Sequence, residues 1–339
     1  VSYTYDSIGN IIAKTDSRGN KTAYIYDEGG LLGKVIDPLN NVTSYTYDES
    51  GRIISVVDPG GSQTYYEYDR LGHLTKQIDA LGNAITNTYD ENYNKISVKD
   101  PAGNTTAYTY DLFNRLAYVI NPLGGQVSYT YDANNNVISV KDPRGNITTN
   151  TYDSADRLIK VIDALNNVTQ YMYDGNGNKV SVTDPKGNTT TFTYDGNNRL
   201  TKITDPLGNT RQYSYDGNGN KIGEITPNGG RYSYAYNGNN QLTAFTDPLN
   251  YSAGYTYDGN GNKLSYTDFR GNTTSYSYDA LNRLTSVTDA LLGVTGYTYD
   301  ALGNKLSETD PRGNSTSYTY DKLSRLLTVT NALGGVISY

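Results

Sequence analysis

A Tyr-Asp pair recurs every 21 residues along the chain, and the spacing never slips. The pairs run Tyr5-Asp6, Tyr26-Asp27, Tyr47-Asp48, Tyr68-Asp69 and so on through Tyr89, Tyr110, Tyr131, Tyr152, Tyr173, Tyr194, Tyr215, Tyr236, Tyr257, Tyr278, Tyr299 and Tyr320. Of these sixteen registers only one lacks the acid, Tyr236 being followed by Asn237. A period of this length predicts a repeat architecture, in which each repeat buries its surface mainly against its neighbours. A constellation present sixteen times points to a scaffold and away from a single active site.

Length alone, 339 residues, would suggest two or three domains. The unbroken period argues instead for one array over residues 1–339, about sixteen repeats of 21 residues. Apolar residues make up 36% of the chain, and 36 of its aromatic residues are Tyr against 4 Phe and no Trp. Most large side chains available for burial therefore carry a hydroxyl that needs a partner. The absence of Cys rules out disulfides and thiolate metal sites. The net charge of −7 is evenly spread with no basic patch, which speaks against nucleic acid or an anionic membrane as partner. No apolar run is long enough to span a bilayer, and no signal-peptide pattern is present. The chain opens and closes inside a repeat, without atypical capping repeats, so a segment of a longer array is expected.

Each repeat contains two chain-reversal signals. One follows the tyrosine, as in Tyr47-Asp48-Glu49-Ser50-Gly51. The other is Asp-Pro-x-Gly or a relative, as in Asp58-Pro59-Gly60-Gly61, Asp142-Pro143-Arg144-Gly145 and Asp310-Pro311-Arg312-Gly313. Asp58, Asp142 and Asp310 would accept local backbone hydrogen bonds, Pro59, Pro143 and Pro311 preset φ, and Gly61, Gly145 and Gly313 tolerate positive φ. All ten prolines share that one turn position. In the first turn the left-handed position holds Gly, Asn or Asp except at Tyr93 and Ser324. The predicted connection is a type I turn closed by a left-handed residue, a common hairpin link.

The segments between turns alternate with period two, as in Tyr108 and Tyr110 against Ala107 and Thr109. Helical periodicity is absent. The predicted fold is all-β, a repetitive antiparallel hairpin array with strands of six or seven residues. At roughly 4.8 Å per strand such a sheet would run on the order of 150 Å. Neighbouring strands rotate by roughly 20–25°, so it should coil into a spiral, hollow tube or shell.

Tyr at i and i+2, as in Tyr45/Tyr47 and Tyr318/Tyr320, should place two tyrosine rows on one face. Asn87 and Asn150 replace the first tyrosine, and an Asn at such a site predicts local irregularity. From the fifth repeat on, Asn-Lys after the first turn alternates with Arg-Leu (Asn178-Lys179, then Arg199-Leu200), with Asn136-Val137 and Gln241-Leu242 as partial exceptions, so the chemical period is nearer 42. Alternating environments and duplication of a two-repeat block both account for this.

These motifs resemble the RHS/YD-repeat family, whose repeats read approximately Tyr-Asp-x-x-Gly-Arg-Leu followed by Asp-Pro-x-Gly. The segment Tyr278-Asp279-Ala280-Leu281-Asn282-Arg283-Leu284 is a close match. Family members include bacterial Rhs and wall-associated polymorphic toxins, the C component of insecticidal toxin complexes, and teneurins. The resemblance implies a spiralling β-shell, often enclosing a C-terminal toxic domain, in an exported bacterial protein found outside the cell or at its surface. The family's shell-closing, self-cleaving region has no counterpart in the plain repeats of this sequence.

Chemical alternatives carry less. Asp174-Gly175-Asn176-Gly177-Asn178 resembles half of an EF-hand loop, but Lys179 and Pro185 stand where Gly and a bidentate Glu are required. His73 is the only histidine, and it follows a turn where other repeats carry Asn or Arg, so it reads as a turn residue. No non-repeated polar cluster is visible, so neither catalytic residues, a metal nor a cofactor is expected. Sequons such as Asn104-Thr105-Thr106 follow from the repeat pattern. The leading expectation is a non-catalytic structural array whose partners are its own neighbouring repeats, further copies in a filament, or a C-terminal toxin cargo. The alternative is an adhesion or glycan-binding module using the tyrosine rows.

Overall fold

The computed structural model describes every residue from Val1 to Tyr339. There is no helix; 33 strands, from Ser2–Tyr5 to Val336–Ser338, form one unclosed antiparallel sheet. Six-residue strands ending at the tyrosine of each Tyr-Asp pair alternate with five-residue return strands, as in Thr105–Tyr110 and Leu116–Ile120. The six-residue strands match the length expected, and the return strands are one residue shorter, because each turn takes up five residues, such as 111–115 and 121–125.

The two sides of a strand pair differently. Across the Tyr-Asp turn the ladder holds four residue pairs, Ala107↔Ile120 to Tyr110↔Leu116, with one extra residue on the return strand before the last pair. This bulge recurs in the other Tyr-Asp hairpins whose register is described and adds local twist. Across the second turn the ladder holds only three pairs and stops at Tyr118↔Ser128. The carbonyl of Leu116 thus lies beyond the last paired residue of that ladder.

Asn87 and Asn150 do not disturb the sheet. Each keeps its place in the register, opposite Val98 and Val161. The Asn150 amide donates to Val137 O at 2.9 Å, the same carbonyl that the Tyr152 hydroxyl reaches at 3.0 Å. A hydrogen bond thus compensates for the missing ring, and the expected irregularity does not occur.

The chain exposes 20616 Å², against about 14,000 Å² for a compact monomer of this length. Ala13 and Ala253 are its only buried apolar residues. The fold therefore depends on hydrogen-bonded turns and strands more than on a core. By density of contacts it divides into two compact units. One comprises residues 1–85, 241–244 and 252–339, the other residues 86–240 and 245–251.

Candidate functional site

Both turn rows are built the same way. In the Tyr-Asp turn at Asp48, Gly51 N donates to Asp48 O (3.0 Å) and Asp48 N to Arg52 O (2.9 Å). The Asp48 carboxylate also accepts from Ser50 N, Arg52 N and Arg52 Nε. In the second turn Asp58 accepts from Gly60 N and Ser62 N, and Asp142 and Asp310 accept from Arg144 N and Arg312 N and from the backbone and side chains of Asn146 and Asn314. Pro59, Pro143 and Pro311 occupy the second turn position, and Gly61, Gly145 and Gly313 have φ of 81°, 87° and 83°. Tyr93 and Ser324 adopt the same left-handed conformation despite their side chains (φ 69° and 59°).

These hydrogen bonds favour the ionised carboxylate. The Arg52 side chain holds Asp48 below the usual carboxylate range, as Arg157 holds Asp153, Asn146 holds Asp142 and Asn178 holds Asp174. A carboxyl with a lowered folded-state pKa contributes stability above its unfolded value, near 3.9, and loses it as pH falls through the folded value. The β-sheet circular dichroism should therefore hold from neutrality to about pH 4 and collapse below it. A signal unchanged down to about pH 2 would contradict the turn chemistry.

The tyrosine of each Tyr-Asp pair closes the gap that the short ladder leaves. Tyr131 OH donates to Leu116 O (2.8 Å), Tyr173 OH to Leu158 O (2.9 Å), Tyr215 OH to Leu200 O (2.7 Å) and Tyr299 OH to Leu284 O (2.8 Å). The same bond, fifteen residues back, recurs from Tyr26 to Tyr320. The leading strand lies open, with Tyr3 46% and Tyr5 56% exposed. Burial raises the phenol pKa of Tyr47, Tyr110, Tyr131, Tyr215, Tyr236, Tyr278 and Tyr299 above its ordinary value.

The 42-residue alternation has a physical basis in this seam. In Arg-Leu repeats the guanidinium reaches the next Tyr-Asp pair. Arg157 lies over the Tyr173 ring (5.0 Å) and donates to Asp174 O (2.9 Å), and Arg115, Arg199 and Arg283 do likewise, as does Arg52 of the third repeat, before the alternation begins. In Asn-Lys repeats the Asn amide reaches the left-handed residue of the next turn, as Asn178 Nδ2 to Asn198 Oδ1 (2.8 Å) and Asn262 Nδ2 to Asn282 Oδ1 (2.7 Å). The Lys lies over the other tyrosine row, as Lys263 over Tyr276 (4.5 Å). From the sixth repeat on, the even repeats therefore carry Asn, Asp or Ser where most odd ones carry Gly.

Two constellations escaped the sequence. The first gathers Glu224, Lys221, Arg211 and Tyr234, with Lys221 Nζ 2.8 Å from Glu224 Oε2 and Arg211 paired to Oε1. Glu224 occupies a strand position held by valine in most repeats, the one signal that could have betrayed it. Lys221 lowers the Glu224 pKa; burial depresses that of Lys221, but its bonds to Glu224 and Tyr234 outweigh this and raise it. Both groups move away from neutrality, the wrong direction for a general acid or base. Lys305 and Glu308 repeat the pair at 2.6 Å.

The second lies within the compact unit of residues 1–85, 241–244 and 252–339, where two turn rows touch. Ser17 N donates to Asn260 Oδ1 (3.0 Å) and Asn260 Nδ2 to Asp16 Oδ2 (2.6 Å). Arg18 donates to Asp279 O and to Asn282 Oδ1 (2.9 Å), and its Nη1 lies 3.6 Å from Asp258 Oδ2. Sequence separations of 240 to 264 residues leave no local trace of this clasp.

His73 is drawn into its own turn, its Nδ1 2.8 Å from Asp69 Oδ2, where other repeats place Asn or Arg. In the loop that resembled a calcium site, Asp174 already accepts from Asn176 N, Asn178 N and Asn178 Nδ2. The sequon amide of Asn104 is bonded to Asp100.

A model of the RHS repeat matches the chain in successive windows, from residues 5–41, 34–63 and 47–84 through to 278–314 and 299–336. Among solved structures, the crystal structure of TcdB2-TccC3-TEV is similar with a TM-score of 0.83 at 16% identity, over 97% of this chain and 21% of that one. The crystal structure of TcdB2-TccC3 gives a TM-score of 0.77 at 16% identity, over 97% and 24%. The Photorhabdus luminescens Tc holotoxin pore gives 0.62 at 16% identity, over 97% and 23%. The chain thus spans under a quarter of the chains it resembles. The comparison with curated proteins finds no match.

Proposed function

Because the chain belongs to the RHS repeat family, we propose that it is a non-catalytic wall, one array of sixteen hairpins within an exported shell, tube or filament. The observation that carries this reading is the tyrosine seam. The hydroxyls of the Tyr-Asp row, which could have met a ligand, are instead bonded to the preceding hairpin. The same engagement counts against the glycan-binding alternative. The roles we assign to the tyrosine row and the turn residues are accordingly structural. The likeness to the TcdB2-TccC3 structures supports the fold of such a wall, and the family resemblance implies a polypeptide cargo beyond the array's C-terminal side, in a protein working outside the cell or at its surface. Limited proteolysis of the intact gene product tests the enclosure. A downstream polypeptide should resist cleavage while joined to the array and be digested when expressed alone. Equal digestion rates would remove the enclosing role.

A further inference from the structure

One strand stands apart from the repeat. Arg231–Tyr236 alone lies between two turns that both lack their acid, since Thr226 and Asn237 stand where aspartate opens most other turns. The same stretch departs at two strand positions. Arg231 brings a cation to a place that is otherwise uncharged in every repeat but one, where it is Lys21. Gly223 is the only glycine at a position that elsewhere holds Ser, Thr, Ala, Lys or Tyr. The single Tyr-Asp register without its acid therefore belongs to a cluster of departures.

The strand register gathers them around one spot. Gln212 and Ser214 pair with Ile225 and Gly223, which pair in turn with Arg231 and Ser233. Side chains two apart on a strand share a face, so all six lie opposite the tyrosine rows. There they line a recess of about 320 Å³. In four other hairpins the same register position joins two hydroxyls at 2.6–2.7 Å, Thr46 to Ser55, Thr88 to Ser97, Thr256 to Ser265 and Thr298 to Ser307. Gly223 takes that partner from Ser214, whose hydroxyl turns into the space a Cβ would fill. Lys202, opposite Gln212, adds a second cation. This face of the strands Leu200–Thr204, Thr210–Tyr215, Lys221–Ile225 and Arg231–Tyr236 carries no carboxylate. Glu224 projects to the other face, where Lys221 and Arg211 hold it.

We propose that this recess binds a tetrahedral oxyanion, the phosphate or sulfate group of a small molecule. The Arg231 guanidinium offers a planar fork of donors to two of its oxygens. The Gln212 amide and the Ser214 and Ser233 hydroxyls supply neutral donors to the others. The missing side chain at Gly223 lets the anion sit low against the sheet, and the loss of acids at Thr226 and Asn237 lowers the repulsion it meets. A plain wall needs none of these departures, and binding here does not depend on what the wall encloses.

Calorimetric titration of the full chain with inorganic phosphate, inorganic sulfate and glucose 6-phosphate tests the site. One anion should bind per chain. Arg231→Gln introduces the residue that Gln63 and Gln126 already place at this position, and should raise the dissociation constant at least roughly tenfold. Gly223→Ser restores the serine of other repeats, fills the recess, and should weaken binding comparably while circular dichroism is unchanged. Lys141→Gln, on the same face but four hairpins away, should leave the affinity as it was. Tighter binding of glucose 6-phosphate than of the free ions would assign the site to a phosphate ester, and equal binding to the ion itself. No binding of any probe at millimolar concentration overturns the proposal. So does binding that Arg231→Gln and Gly223→Ser leave intact, or that Lys141→Gln weakens as much, since it would then be diffuse attraction to the face.

Discussion

Alanine in place of Tyr173 is expected to destabilise the array by about 2–4 kcal/mol, and phenylalanine by about 1 kcal/mol. Alanine removes the ring under the Arg157 guanidinium, the 2.9 Å bond to Leu158 O and the packing of the seam together. Phenylalanine removes only the hydroxyl, leaving that carbonyl without its partner across the open end of the ladder. Repeat arrays sum neighbour terms, so the loss should concentrate at one junction. Urea unfolding gives the total, and amide exchange should quicken first in the strands Leu158–Ile162 and Val168–Tyr173. A phenylalanine variant as stable as the wild type would remove the hydroxyl bond from the explanation.

Alanine at Arg18 is expected to cost about 2 kcal/mol, more than any other single arginine of the second-turn row. Arg18 ties the turn at Asp16 to two consecutive turns, at Asp258 and Asp279, whereas Arg144, Arg270 and Arg312 reach into solvent. Lysine should restore the loss only in part, because a single ammonium cannot span the Asp279 carbonyl, Asn282 and Asp258 as a planar guanidinium does. Amide exchange at 16–20 and 258–262 should rise together in the alanine variant, while residues 86–240 stay protected. Exchange that rises throughout the chain would mean that Arg18 holds more than this clasp.

What the sequence revealed and what it hid divide by distance along the chain. The turns at Asp58-Pro59-Gly60-Gly61 and Asp142-Pro143-Arg144-Gly145 were legible because their hydrogen bonds close within four residues. The hairpins were legible for the same reason, since each strand pairs with its neighbour in sequence. The seam was half legible: the period placed Tyr173 on a row, but not its partner Leu158 O, fifteen residues earlier. Asn150 was misread because only the ring it lacks was considered, and not the carbonyl of Val137 that its amide can reach. The alternation of Asn178 and Arg199 was visible as a pattern without a cause until the next hairpin's acceptors were in place. Glu224 showed only as an acid at a position mostly held by valine, and Arg18 not at all, because Arg211 and Tyr234 come from neighbouring strands and the partners of Arg18 lie 240 or more residues away.

Tyrosine ionisation followed by ultraviolet difference absorbance in alkaline titration tests the seam most directly. With hydroxyls bonded to backbone carbonyls in half-buried positions, Tyr47, Tyr110, Tyr131, Tyr215, Tyr236, Tyr278 and Tyr299 should ionise late, above the ordinary value near 10. Denaturation in urea should return them to the ordinary value. A single class that ionises near 10 in the folded protein would show the tyrosine rows open to solvent, and would contradict the wall.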